Sequence, residues 1–401
     1  MREMFLLILI IIFYVLFGSS ITILTKYLYN EKSKDKYFSH DAFITLLSFF
    51  SEIFGLLLYL ISYHKSKKNK KDQQPQEEID DDNMENISNI KKIVITFLPS
   101  SCDIIATFLC SFFLDLIDGT IYTMIKGVSI IIITFLISKF IMKNKHTWDH
   151  YIAIFIAVIS FVFVGLSMFF SSEKSRKTNI VGWVGVIIAM IFQSIQLSLE
   201  EHYIRKYNIN QFFFLGFEGV FGFIVNLILC IILYWVKCGD EPSEYIEAIC
   251  VEDGDGVWRY ENLIFAFEQI YDNNIILICI IILIFVIAGF NILGISIIKY
   301  GGAITRSLIE NFRSFIVWLY FLLPFIKDDL RGTFDWFRLA GLICIIISVV
   351  IYFGIAKIDE RMAVRKKISQ ITSKEEEDER TLTDTDTEST PYTGSSINQE
   401  I

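Results

Sequence analysis

Hydrophobic and polar positions along this chain do not alternate; they segregate into blocks. Apolar runs such as Phe5–Phe17, Ile44–Ser62, Val128–Ile137, Ile152–Phe170 and Ile275–Phe290 are divided by polar stretches. A helix crosses a bilayer core with roughly 20 largely apolar residues; Ile152–Phe170 comes close to that length with no charge inside, and Ile44–Ser62 does so around the single charge of Glu52. The pattern predicts ten transmembrane helices, over about 5–28, 41–63, 93–114, 119–141, 148–170, 181–203, 212–236, 275–298, 303–326 and 335–357. A polar stretch, 64–92, follows the second helix. A tight Asp115–Asp118 turn joins the third and fourth. A long acidic loop, 237–274, follows the seventh. From Asp359 the chain is charged, then rich in Ser and Thr, and is expected to be disordered. The first apolar run continues past Gly18 to about Tyr29 without a small-residue cleavage site, so the first helix is expected to be retained.

The two halves of the pattern resemble each other. Helix 2 carries Phe50-Ser51-Glu52-Ile53-Phe54-Gly55 and helix 7 carries Phe217-Glu218-Gly219-Val220-Phe221-Gly222, each an intramembrane Glu followed by Phe-Gly. Ser20–Leu24 in helix 1 parallels Ser194–Ser198 in helix 6. Helix 4 opens Gly119-Thr120-Ile121 and holds Lys126; helix 9 opens Gly302-Ala303-Ile304 and holds Arg306 and Arg313. Helices 5 and 10 follow Trp148-Asp149 and Asp335-Trp336. Five helices are an odd number, so two successive copies cross the membrane in opposite senses. The predicted fold class is therefore an all-α integral membrane protein with ten transmembrane helices in a 5+5 inverted repeat. The first five-helix repeat is 1–170 with a cytosolic loop 64–92, the second is 181–357 with a luminal loop 237–274, and a disordered cytosolic tail occupies 358–401.

Composition supports this picture: 53% of the 401 residues are apolar. The net charge of −9 sits largely in the loops and tail, so it speaks of solvated segments and implies no nucleic-acid partner. Lys and Arg near the span ends are in moderate excess on the side that holds both termini, which places the termini in the cytosol and the 237–274 loop in the lumen. The sequon Asn86-Ile87-Ser88 then lies in the cytosol. Cys102, Cys110, Cys230, Cys279 and Cys344 fall in or beside apolar runs and read as small core residues. Cys238 and Cys250 share one polar loop; they form a disulfide if that loop faces an oxidising lumen and are two free thiols otherwise.

Charges inside apolar runs carry the functional signal, because each costs about 2.5–3.5 kcal/mol on insertion scales and tends to face the bundle interior. The candidates are Glu52, Asp103, Lys126, Glu218, Arg306, Glu310 and Arg313. Glu200 and Glu201 lie near the end of helix 6, where water can reach them. Lys126 is expected to line a central cavity, the bland alternative being a structural ion pair with Asp103 or Glu218. Glu310 and Arg313 are three apart and can pair on one helix face. Gln193, Gln196, Ser194 and Ser198 give helix 6 an uncharged polar lining, or bond between helices. Gly216, Gly219 and Gly222 let helix 7 approach a neighbour closely. His146 and His150 flank Trp148 at a span end, where an interfacial role suits them better than a metal. No HExxH, CxxC, phosphate-cradling glycine loop or G-x-S-x-G is present, so no enzyme chemistry and no cofactor are expected.

Several of these residues sit in a familiar arrangement. Leu98-Pro99-Ser100-Ser101-Cys102-Asp103-Ile104-Ile105-Ala106-Thr107, continuing to Met124-Ile125-Lys126-Gly127-Val128, resembles the drug/metabolite transporter superfamily. More narrowly it is similar to solute carrier family 35 subfamily F of the member 6 type, near the chloroquine-resistance-transporter-like group. Leu199-Glu200-Glu201 with Tyr207-Asn208, Glu218–Phe223, and Thr305-Arg306 leading to Arg313 agree with it. Lys126 departs from the pattern, since the family usually has Arg there. The resemblance implies ten helices in an inverted fold, metabolite transport, and a lysosomal, vacuolar or Golgi membrane.

The expected function is alternating-access transport of a small organic solute across an endomembrane, with proton coupling through a buried carboxylate. Lys126, Asp103, Glu218, Arg306, Gln193, Glu52 and Arg313 are the expected solute-binding residues. A non-transporting receptor or scaffold acting through its tail is the alternative; deleting 359–401 would leave flux intact in a carrier and abolish the effect of a scaffold. The bilayer and a small solute are the implied partners, and a homodimer is compatible with the sequence.

Overall fold

The computed structural model describes residues 2–72, 88–114, 119–144, 148–170, 180–238, 250–252, 257–323 and 334–352. Residues 1–349 cluster into one unit, to which the description below refers; a second, Val350–Ile401, lies almost wholly outside the described residues. The Asp115–Asp118 turn, Asn86 and Ile87 of the sequon, and the 358–401 tail also lie outside them.

The long apolar runs are helices. They are α1 (Arg2–Tyr29), α2 (Asp41–Glu52) and α3 (Phe54–Asp72), α4 (Asn89–Leu114), α5 (Gly119–Phe140), α6 (Trp148–Phe170), α7 (Ile180–Lys206) and α8 (Gln211–Trp235). A short amphipathic helix, α9 (Leu263–Asp272), precedes α10 (Asn274–Gly301), α11 (Ala303–Phe321) and α12 (Trp336–Tyr352). Among the described residues six helical segments are long and apolar enough to cross a membrane: Leu7–Tyr29, Asp41–Lys65, Ile90–Cys110, Gly182–Lys206, Gln211–Trp235 and Asn274–Gly301. Trp148–Phe163 and Trp336–Tyr352 are shorter apolar helices. The chain is thus a mostly helical, multi-pass membrane protein. Its surface chemistry is inverted in the way a bilayer demands: Ile8, Ile12, Leu57, Ile228, Ile231 and Phe285 face outward, while Ser51, Glu52, Ser100, Thr134, Ser194, Gln196, Glu200 and Glu218 are buried.

Several elements differ from the expectations drawn from sequence. The second span is broken at Ile53. Ser51 Oγ donates to the Leu47 carbonyl, and i→i+3 bonds replace the helical ladder at Ile53 N–Phe50 O and Leu56 N–Ile53 O. α3 runs on through His64–Asp72, so the start of the expected 64–92 loop is helix. Pro99 lies ten positions inside α4. A buried proline there removes one ladder bond, and the neighbouring Ser100 and Ser101 hydroxyls donate to the Thr96 and Phe97 carbonyls.

The described part of the expected 237–274 loop carries two short strands and a helix. β3 (Val251–Glu252) pairs with β4 (Trp258–Arg259), α9 follows, and Cys238 is bonded to Cys250 across twelve residues of sequence. Opposite it, β1 (Lys32–Ser33) and β2 (Lys36–Tyr37) form a two-residue hairpin with Lys34 and Asp35 both at positive φ, the signature of a type I′ turn. These pieces interlock at one end of the bundle through three fully buried polar side chains. His40 Nδ1 lies 2.6 Å from Glu261 Oε1 and His40 Nε2 lies 3.1 Å from Gln269 Oε1. Gln269 Nε2 donates to the Ser33 and Lys36 carbonyls, so its oxygen is the end that faces the imidazole. Beneath this cap Leu28, Phe38, Phe43, Ala266, Ile276 and Leu283 form an apolar core.

α2 and α8 cross closely at small residues. A Cβ on Gly219 would stand 2.6 Å from Glu52 Cβ and 2.9 Å from the Glu52 carbonyl carbon. Alanine would gain about 1 kcal/mol of helix propensity there, but the obstructing atoms include backbone that cannot swing aside. Gly219→Ala is therefore expected to destabilise the protein by about 1–3 kcal/mol, the usual range for overpacking. Thermal unfolding of the purified variant checks this; a melting point at or above wild type would show that the crossing is looser than the geometry says.

Candidate functional site

The helices bring the intramembrane charges to one place. Glu200 stands six positions before the end of α7 at Lys206, and Glu218 seven after the start of α8 at Gln211. The hairpin therefore sets both carboxyls at one depth, roughly 10 Å in from the helix ends at 1.5 Å per residue. Gln196 ties them together: its Nε2 donates to Glu200 Oε1 at 2.9 Å and to Glu218 Oε1 at 3.2 Å. Glu52 enters at the α2 break beside Gly219, and Asn291 Nδ2 of α10 donates to its Oε1 at 2.9 Å. From α11, Arg306 Nη1 lies 3.2 Å from Glu200 Oε2. Tyr14 of α1 is fully buried, stacked on Phe290 with centroids 4.4 Å apart, and lies in the field of Arg306, Glu310 and Arg313.

Asp103 of α4 completes the inner face. Its carboxyl hydrogen-bonds Thr107 and lies within electrostatic reach of Arg306, Glu310 and Lys126. Lys126 of α5 acts on both Asp103 and Glu310, yet forms no ion pair within 4.0 Å among the described residues. Beside it, a Cβ on Gly127 would fall 2.3 Å from Phe161 Cε1 and 2.5 Å from Asn311 Oδ1, so glycine is what allows α5, α6 and α11 to meet there. Arg313 lies 3.9 Å from Glu310 and 5.2 Å from the centroid of the Phe290 ring. Hence six of the seven expected solute-binding residues, Glu52, Asp103, Lys126, Glu218, Arg306 and Arg313, surround one interior. Gln193 is half-buried, one turn before Gln196, and makes no hydrogen bond among the described residues.

Glu200 is the residue that sequence reasoning set aside as wet. It is 1% exposed, because α7 continues three residues beyond its expected end and carries Glu200 into the bundle. The signal was the spacing: Gln196 and Glu200 are four apart and share a face. Glu201 is buried for another reason. Its Oε2 accepts from Ala303 N at 2.8 Å, capping the start of α11 where Gly302 adopts φ +88°, and Arg205 closes on its other oxygen at 3.2 Å. Asn291 and Tyr14 were missed since neutral polar residues in an apolar run do not stand out as charges do.

The arrangement is a buried polar interior of five carboxyls and three cations, drawn from α2, α4, α5, α7, α8 and α11. No group of three or more His, Cys, Asp or Glu with metal-binding geometry occurs among the described residues.

No protein-family model matches the chain. It is 26% identical over 260 residues to solute carrier family 35 member F6 of Homo sapiens, covering 64% of this chain and 66% of that protein, just under two thirds of its length. It is 25% identical over 297 residues to the protein of the same name from Mus musculus, covering 72% and 73%. An uncharacterised Schizosaccharomyces pombe protein is 25% identical over 267 residues, covering 67% of this chain and 76% of that one. A solved crystal structure superposes on 87% of this chain and 98% of its own with a TM-score of 0.54 at 10% identity, a likeness of fold alone. The sequence similarities relate the chain to the solute carrier family 35 F-type drug/metabolite transporters.

Proposed function

We propose that this chain is a secondary transporter that moves a small organic solute across an endomembrane by alternating access, coupled to protons, through ten spans arranged as two inverted five-helix copies. The observation that carries the reading is the buried charged interior, which both halves of the chain build. Glu52, Asp103 and Lys126 come from the first half; Glu200, Glu218, Arg306 and Glu310 come from the second. Helix pairing supports the repeat. Counting α2 and α3 as one span, α1 packs on α10 as α7 packs on α4, α1 on α11 as α7 on α5, and α2 on α10 as α8 on α4. The pairs α2 with α8 and α5 with α11 map onto themselves under the same exchange. A pseudo-two-fold through those two crossings generates every one of these relations.

Within that interior Arg306 and Arg313 already face carboxylates. Among the described residues Lys126 has no such partner within 4.0 Å, which leaves it the cation able to engage an anionic group on the solute. The Cys238–Cys250 bond supports an oxidising lumen on the side of the cap and thus cytosolic termini. The similarity to solute carriers supports transport over a scaffold role, and a membrane of the lysosome, vacuole or Golgi suits the luminal disulfide.

The test is flux. Proteoliposomes holding the full chain, loaded with a mixed metabolite extract, should release a discrete set of solutes faster than empty vesicles, and a pH gradient should change the rate. Lys126→Ala should slow release of those solutes by about tenfold or more, the equivalent of one charge-assisted hydrogen bond of about 1.5–3 kcal/mol. Release indistinguishable from empty vesicles for every solute would end the carrier reading. Flux unchanged by Lys126→Ala would move the anion-binding role elsewhere.

A further inference from the structure

Three accounts of this interior converge on the same pair of carboxyls. The first is charge. Glu52, Asp103, Glu200, Glu218 and Glu310 face Lys126, Arg306 and Arg313, so two carboxylates would be in excess if all were ionised. The second is partnership. Glu200 has Arg306, Glu310 has Arg313, and Asp103 lies in the fields of Arg306 and then Lys126 and has Thr107 as a hydrogen-bond partner. Glu52 and Glu218 remain: among the described residues neither has a cation within 4.0 Å, of the cations Glu52 has only Arg306 in its field, and their side-chain partners are the neutral amides of Asn291 and Gln196. The third is hydrogen bonding. Buried side-chain atoms without a hydrogen-bond partner among the described residues include Tyr14 Oη, Ser198 Oγ, Gln211 Oε1 and Arg306 Nε, and, on Glu52 and on the Gln196 that holds Glu218, Glu52 Oε2 and Gln196 Oε1. A buried acceptor without a donor, or a buried carboxylate without a cation, is strongly disfavoured.

We propose that Glu52 and Glu218 form a two-proton site at the crossing of α2 and α8. Two protons balance the charge, and the one on Glu218 gives Gln196 Oε1 the donor it lacks. One sits on Glu52 and turns its carboxyl neutral while Asn291 holds the other oxygen. The other sits on Glu218, whose O–H and C=O close an acid–amide ring with Gln196 Oε1 and Nε2. The groups facing the pair are Asp103 from α4, Glu200 from α7 and Arg306 from α11. Because α2 and α8 belong to opposite halves and touch backbone to backbone at Gly219, loss of both protons puts two like charges on the contact that joins the halves. That consequence for coupling rests on the carrier reading; proton occupancy itself does not.

The experiment uses the full chain in lipid nanodiscs with protons as the probe and no solute present. Infrared difference spectra are recorded across a pH titration, together with unfolding temperatures. The wild type should show two C=O bands of protonated carboxyls that disappear on alkalinisation. Glu52→Gln and Glu218→Gln should each remove one band, and the double variant both. Labelling of the wild type with a hydrophobic carbodiimide, which adds to protonated carboxyls, keeps the test independent of variant folding: peptide masses should place the adduct on Glu52 and Glu218. Bands that persist in the double variant, or adducts confined to Asp103, Glu200 or Glu310, overturn the proposal. So does a sodium-dependent, choline-independent rise in wild-type unfolding temperature that the double variant lacks, since the site would then bind that ion. If the bands behave as stated while no vesicle assay yields flux, the carrier reading fails and the proton site stands.

Discussion

Glu261→Ala is expected to open the cap at one end of the bundle and to lower stability by about 3–5 kcal/mol, the range for leaving one member of a buried pair unpaired. Glu261 and His40 are both fully buried. The carboxylate receives His40 Nδ1 and Asn262 N on Oε1, at 2.6 and 2.9 Å, and Phe43 N on Oε2 at 3.1 Å. Alanine removes the partner of His40 Nδ1 and the acceptor of two backbone N–H groups inside a fully buried cluster. Glu261→Gln keeps one acceptor and the side-chain volume, and should lose about 1–3 kcal/mol, the desolvation penalty of one poorly satisfied group. Total stabilities of folded domains are about 5–15 kcal/mol, so the alanine variant sits near the edge of folding. The measurement is thermal unfolding of the purified protein, with limited proteolysis of residues 30–40 to localise the opening. An alanine variant that melts with the wild type and resists proteolysis there would mean the pair contributes nothing to holding the β1–β2 hairpin against α9.

None of that cap was legible in the sequence, and the reason is physical. His40 is separated from Glu261 by 221 positions and from Gln269 by 229, so no local period records their meeting. The β1–β2 turn uses Lys34-Asp35 where Asn-Gly is the usual signal for positive φ at both positions, and the hairpin passes for a charged loop. The spans were legible because bilayer solvent imposes one crude rule on some twenty residues at a time. That rule does not see the break at Ile53, which comes from Ser51 competing for a carbonyl, nor the continuation of α3 through residues such as Lys65, whose charges look like a loop but propagate a helix once one is nucleated. Intramembrane charges were legible one by one for the same solvent reason. Their pairing was not: hydropathy marks Arg306, but only the depth of α7 turns Glu200 from a wet residue into its partner.

Arg306→Ala should be the most damaging single change in the interior, again by about 3–5 kcal/mol, because Glu200 is left with Gln196 as its sole side-chain donor in a dry site. Stability alone cannot say whether this pair is a strut or part of the transport site, but a second variant can. Replacing both members, Arg306→Met with Glu200→Gln, removes the buried charges together; such replacements in soluble proteins are often neutral or stabilising by about 1–4 kcal/mol. The unfolding temperature should therefore return towards wild type in the double variant. If the pair only braces α7 against α11, proteoliposome flux returns with it. If Arg306 and Glu200 belong to the solute or proton path, stability recovers and flux does not, because the groups that answer solute charge are gone while the fold is whole. The second outcome is expected. The Glu200–Arg306 pair shares Gln196 with Glu218 and lies in the field of Asp103, and one or both of its charges act on Glu52, Asp103, Glu218 and Glu310. Recovery of both readouts would reduce the pair to packing and leave Lys126 and the Glu52–Glu218 crossing to carry the chemistry.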